Sequence, residues 1–127
     1  MNGTACPCGS GRVLADCCGR YHAGEPAPDA ECLMRSRYSA YVLGLEDYLC
    51  ASWHPDTRPT TLGLGVPPRP KWLGLMVKAH TVLDSIHATV EFVARYKVNG
   101  RAFKLHEVSR FERVDGRWLY VDGEIRE

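Results

Sequence analysis

Cys6, Cys8, Cys17 and Cys18 constrain this chain more than any other residues. Four thiols fall within the first eighteen positions, in pairs on either side of a Gly9-Ser10-Gly11 turn. Once deprotonated, thiols so placed can converge on one tetrahedral metal ion without help from the rest of the chain. Zinc suits a closed set of four thiolates, and iron is the chemical alternative that spacing alone leaves open. The competing use of clustered cysteines is a disulfide framework. That use belongs to secreted chains, and the opening Met1-Asn2-Gly3-Thr4-Ala5 has neither a basic start nor an apolar run. Reduced thiols holding a metal fit better, in a chain expected to be cytoplasmic. Gly9 and Gly11 permit the positive backbone angles of a tight turn, so that main-chain N–H groups can face the sulfurs. A divalent ion on four thiolates carries a net charge of about −2, which Arg12 and Arg20 stand near enough in sequence to offset in part.

The remainder is large enough to fold without the metal. A chain of 127 residues has the size of one domain, and such a chain buries roughly two-thirds of its unfolded surface. Residues 1–24 therefore read as a knuckle and residues 25–127 as a body, with a Gly- and Pro-rich break at 24–28 between them. Sixteen basic against fifteen acidic side chains give a net charge of +1. That balance provides no broad field for nucleic acid or anionic lipid, so neither is an expected partner. No window approaches the ~20 apolar residues of a membrane span.

Along the body, Asp29 is placed to cap a helix. Leu33, Met34, Arg37, Tyr38, Tyr41, Val42 and Leu45 then recur at helical spacing, with Arg35 and Ser39 on other faces and Gly44 near the end. A second helix is expected over residues 46–53, before His54-Pro55, completing a helical hairpin. Residues 56–70, with four prolines and two glycines, read as a long loop suited to act as a lid. Strands follow. Residues 71–83 form the first, and Val90, Phe92, Ala94, Tyr96 and Val98 alternate along the second. Asn99-Gly100 and Asp115-Gly116 signal type I′ hairpin turns, which bound a third strand over 101–114 and a fourth over 117–121. Helices first and strands afterwards predict an α+β fold, a curved four-stranded antiparallel sheet wrapped around the hairpin.

Cys6-Pro7-Cys8-Gly9-Ser10-Gly11, followed by Cys17-Cys18, resembles the SEC-C motif, a zinc-binding segment named from the C-terminal end of the bacterial preprotein translocase ATPase. The resemblance implies Cys6, Cys8, Cys17 and Cys18 as ligands of one structural Zn2+, with His22 the alternative to Cys18. Further segments, among them Leu33-Met34-Arg35-Ser36-Arg37-Tyr38-Ser39-Ala40-Tyr41, Trp53-His54-Pro55 and Trp118-Leu119-Tyr120-Val121-Asp122-Gly123, look like those of the YchJ-like family. That likeness covers nearly the whole chain and implies a cystatin-like, or nuclear-transport-factor-like, cone behind the knuckle. Longer members of the family carry a second knuckle after the cone.

Cones of this kind often enclose a pocket, and in some relatives the pocket is an active site. Arg35, Tyr38, Tyr41, Trp53, Glu91, Glu107 and Trp118 are the candidate lining here. His106 and Glu107 are adjacent in a strand and must project to opposite faces, which argues against an acid–base pair. Glu107 shares its face with Phe103, Leu105, Ser109 and Phe111, so it needs a partner, with Arg35, Arg37 and Arg95 the candidates. Cys32 and Cys50 read as buried free thiols because no base adjoins them. No catalytic residue is assigned. The expected role is a zinc-binding adaptor with a protein partner, which analogy to the translocase segment places in the export or ribosome-associated machinery. A small-molecule-binding protein or enzyme that uses the cone is the competing class.

Overall fold

The computed structural model describes residues 4–64 and 67–126. The first three residues of the expected knuckle, residues 65 and 66 of the expected loop, and Glu127 lie outside the described residues. A short 3-10 turn at Leu14–Asp16 leads into helix α1 (Cys18–His22), and helices α2 (Ala30–Leu43) and α3 (Glu46–Ala51) follow. Strands β1 (Lys71–Val82), β2 (His87–Val98), β3 (Arg101–Val114) and β4 (Arg117–Ile125) complete the chain. The strands form one antiparallel meander in the order β1-β2-β3-β4.

Helix α2 begins where the Asp29 carboxylate accepts the Cys32 N–H at 2.8 Å, satisfying one of the donors that a helix start leaves unpaired. It ends at Gly44, whose left-handed backbone turns the N–H back to the Ala40 carbonyl. The expected hairpin is present, but α3 stops at Ala51, two residues before the sequence-based limit. From there the backbone pairs with β4: Tyr120 N–H donates to Ser52 O at 2.9 Å and His54 N–H to Tyr120 O at 2.7 Å. These ladder bonds take the groups that another helical turn would use.

Alternation decides which face of the sheet is buried. Ala88, Val90, Phe92 and Ala94 on β2 are buried and face Phe111, Ser109, Glu107 and Leu105 across the β2–β3 register. Leu33, Met34 and Tyr38 of α2 close over this row, with Phe111 and Trp118 in the same cluster. Asn99 and Asp115 take the positive φ values expected of the two hairpin turns. The fourth strand runs to Ile125, four residues past its expected end. Asp122-Gly123 is not a turn: Gly123 pairs with Ser109 in the ladder. A Cβ there would overlap the Glu107 carboxylate and stand 2.8 Å from its Cγ, so this glycine makes room for a side chain on the neighbouring strand.

Helix α2 is covered on both sides. Ser36, Ser39 and Ala40 are fully buried although they lie off the sheet-facing stripe, because α1 and the cysteine segment pack against them. Small residues there let the two backbones approach, and each hydroxyl has a polar neighbour. The segment at 24–28 is accordingly not a free tether; Ala27 lies in the main core.

Candidate functional site

The cysteine segment builds its own framework. Ala5 and Val13 form a bridge, Cys6 N–H donates to Arg12 O at 2.9 Å, and Gly9 and Gly11 turn the chain at φ of 80° and 87°. The 3-10 turn then delivers Cys17, and Cys18 starts α1. Gly19 is needed at this junction, since a Cβ would come within 2.7 Å of the Leu14 carbonyl oxygen. Sequence reasoning did not single it out, because the close approach arises only once the turn and α1 have folded together.

The four sulfurs of Cys6, Cys8, Cys17 and Cys18 lie within 4.8 Å of one another, all in buried residues. Cys8 Sγ and Cys17 Sγ are 3.7 Å apart. A disulfide requires about 2.05 Å, whereas sulfurs at the corners of a tetrahedron with ~2.3 Å zinc–sulfur bonds are separated by about 3.8 Å. All six cysteines are free. The donor set therefore fits a metal ion. Its proton chemistry agrees: hydrogen bonding from Cys18 pulls the Cys8 thiol down to about 4, and the same bond pushes Cys18 up. A metal ion on these sulfurs would displace the thiol protons.

Polar groups surround the sulfurs. Ser10 Oγ lies 3.2 Å from Cys17 Sγ and Ser39 Oγ 3.5 Å from Cys6 Sγ. Arg35 Nη1 donates to the Cys8 carbonyl at 3.0 Å while its Nε pairs with Glu31. Burial works against the Arg35 charge, but Glu31 and Cys8 outweigh it and raise the pKa. Arg20 donates to the Cys17 carbonyl and pairs with Glu25 at 3.5 Å. Arg20 and Arg35 thus bring positive charge near the sulfurs, and the exposed Arg12 lines the same surface depression as Cys17 and Cys18. His22 is engaged elsewhere. Its Nε2 is 2.8 Å from Ser36 O and its ring meets Tyr48 edge-on, so it is not among the converging ligands.

A second feature is a cavity of about 290 Å³ between α2 and the inner face of the sheet. Of the residues expected to line a pocket, Tyr38, Tyr41 and Glu107 do so. The others do not. Arg35 turns to the cysteine segment, and Trp53 packs behind the wall against Arg37 and Tyr120. Glu91 lies on the outer face of the sheet, 2.7 Å from His106 Nε2, and Trp118 is buried in the core beside Tyr21 and Ala27. Glu107 meets none of the arginines proposed for it. Its Oε2 accepts from Ser109 Oγ at 2.6 Å and from Tyr120 OH at 3.2 Å. Arg37, considered from sequence only as a partner for Glu107, is the charged lining residue missing from the expected set, although a cation on the apolar stripe of α2 was the available signal. Cys32 and Cys50 are half-buried, and burial pushes the Cys32 thiol up to about 11, which suits no nucleophile.

A closed cysteine cluster on a helix-backed antiparallel sheet defines the class: a SEC-C knuckle joined to an NTF2-like domain. The SEC-C motif matches residues 4–20 and the YchJ middle NTF2-like domain matches residues 29–123. The UPF0225 protein of Bordetella parapertussis is 59% identical, over 96% of this chain and 93% of that relative. The UPF0225 protein of Ralstonia nicotianae is 58% identical, over 95% and 91%. Among solved structures, a SEC-C motif-containing protein from Rhodopseudomonas palustris superposes with a TM-score of 0.84 at 33% identity, covering 100% of both chains. One from Psychrobacter arcticus gives 0.79 at 30% identity, covering 96% of this chain and 82% of the other. The chain belongs to the YchJ-like, UPF0225 family. Among the described residues no helix is long and apolar enough to cross a membrane.

Proposed function

We propose that this protein is a cytoplasmic zinc-binding adaptor, in which Cys6, Cys8, Cys17 and Cys18 hold one Zn2+ and the knuckle so fixed is a docking surface for a protein partner. The observation that supports this reading is the convergence of four buried sulfurs within 4.8 Å. Four protein ligands leave no open position for water or substrate, so the ion's role is architectural. Bound metal contributes folding free energy to a segment too short to form a core of its own. Ser10, Arg12, Ala15 and Asp16 remain exposed around it and would form the contact face. Analogy to the translocase segment points to export or ribosome-associated machinery as the source of the partner.

Cobalt titration of the reduced, metal-free chain tests the ligand set. The expected result is the visible spectrum of a tetrahedral four-thiolate site, saturating at one ion per chain and displaced by zinc. An octahedral spectrum, or an unchanged one after Cys18→Ser, would contradict it. Docking is tested with a photo-crosslinker at position 12. Zinc-loaded protein should label one translocation or ribosomal protein, and chelated protein should not; equal labelling in both states would refute the adaptor.

A further inference from the structure

We infer that the cone cavity binds a small aromatic carboxylic acid, with its carboxylate on Arg37 and an N–H or O–H of the same molecule on Glu107. The cavity, about 290 Å³, is larger than the ~150 Å³ that accepts a benzene ring. Its walls are largely aromatic: Tyr38, Tyr41, Trp72, Phe92 and Phe111 turn apolar surface toward it, a lining suited to a flat ring.

Two charges break this lining. Arg37 is almost wholly buried. Its Nη1 donates to Leu49 O at 2.9 Å and Ser52 Oγ at 2.6 Å, and its guanidinium carbon lies 4.9 Å and 4.6 Å from the ring centroids of Trp53 and Tyr120. These contacts hold and orient the group, but none carries a full negative charge. The one carboxylate on the same cavity, Glu107, makes no hydrogen bond to it; the buried cation so lacks a direct anionic partner, and an anion entering the cavity would supply one. The planar guanidinium matches a carboxylate in shape as well as charge. Glu107 is the second charge. Both hydroxyls that reach it donate to Oε2, and Oε1 accepts no hydrogen bond among the described residues. A ligand donor has that oxygen to meet. Opposite charges at two points on an aromatic wall select a molecule with an acid at one end and a hydrogen-bond donor at the other, whereas a cation without an acid would leave Arg37 unpaired.

Calorimetry and amide NMR on the full, zinc-loaded chain test this with four probes: indole-3-acetate, naphthalene-1-acetate, indole and tryptamine. Indole-3-acetate should bind tightest and shift the amides of Tyr38, Tyr41 and Ser109. Naphthalene-1-acetate, which lacks the donor, should bind several-fold more weakly, and indole, which lacks the acid, at least tenfold more weakly. Arg37→Lys should lower indole-3-acetate affinity about tenfold and leave indole unchanged, and Ala94→Leu, which fills the cavity, should abolish both. Tryptamine binding as tightly as indole-3-acetate, shifts outside the cavity, or no shift with any probe would overturn the assignment. The ranking of the four probes on the unsubstituted chain decides the matter even where a variant does not fold.

Discussion

Replacing Gly123 by alanine should destabilise the sheet through a side chain on another strand. The new Cβ would occupy the place of the Glu107 carboxylate and stand 2.8 Å from Cγ, so Glu107 must swing away. It then loses the hydrogen bonds from Ser109 at 2.6 Å and Tyr120 at 3.2 Å. Ser109 is buried at 2% exposure, so its hydroxyl is left without water to replace the carboxylate. A hydrogen bond to a charged group contributes about 1.5–3 kcal/mol when removed; partial exposure of Glu107 reduces that, and two such bonds sum to about 2–4 kcal/mol. Alanine is otherwise slightly preferred to glycine in a strand, by less than about 1 kcal/mol, so backbone propensity does not explain the loss. Urea unfolding followed by tryptophan fluorescence should show a lower midpoint with an unchanged slope. A double-mutant cycle isolates the cause: in a Glu107→Ala background, Gly123→Ala should cost less than about 1 kcal/mol, an interaction of about 2 kcal/mol between the sites. Additive effects, or a single substitution within about 0.5 kcal/mol of the parent, would refute the account of Gly123.

Three further outcomes are expected. Cys8→Ser should open residues 4–22 to rapid amide exchange while the sheet still unfolds cooperatively, because every buried residue of the main core except Tyr21 lies beyond that segment; loss of the whole fold would show that the two parts are not independent. Cys32, with its thiol pushed up to about 11 by burial, should react with iodoacetamide far more slowly than a free cysteine at pH 8 and accelerate as pH rises, as read by mass spectrometry of the zinc-loaded protein. Asp84 is held below its ordinary 3.8 by the Ile86 N–H first and then by His87. A carboxyl lowered on folding supports the structure above its unfolded pKa and loses that support as pH falls through the folded one. Exchange of the Ile86 and His87 amides should therefore quicken only in acid below 3.8, and Asp84→Ala, which removes the acceptor, should show that quickening at neutral pH; protection unchanged by the substitution would count against this turn's role.

Much of the fold was legible because local chemistry decides it. Asn99-Gly100 and Asp115-Gly116 can hardly do other than turn, and the alternation from Ala88 to Ala94 leaves one face of β2 to bury. The cysteine cluster was legible for the same reason: its residues are close in sequence and converge through a turn they build themselves. What escaped depends on contacts between distant segments. The last strand was expected to end at residue 121, and only Glu107 across the ladder shows why a glycine stands at 123 where the strand continues. Arg35 looked like a pocket residue, and Arg37 like a stripe position whose one candidate role was to pair with Glu107. Their roles are exchanged because the cysteine segment covers one side of α2 and the cavity opens on the other. Helical periodicity reports which residues share a face, and it does not report what will be packed against that face.

The central claim is that one metal ion joins the four sulfurs. Native mass spectrometry of the purified, reduced chain, before and after a strong chelator, tests it most directly. The account predicts one zinc ion per chain before treatment and its loss afterwards, with loss of amide protection confined to the segment around Cys6 to His22. A reduced chain that carries no ion yet keeps that segment protected, or sulfurs found bonded to one another, would contradict it.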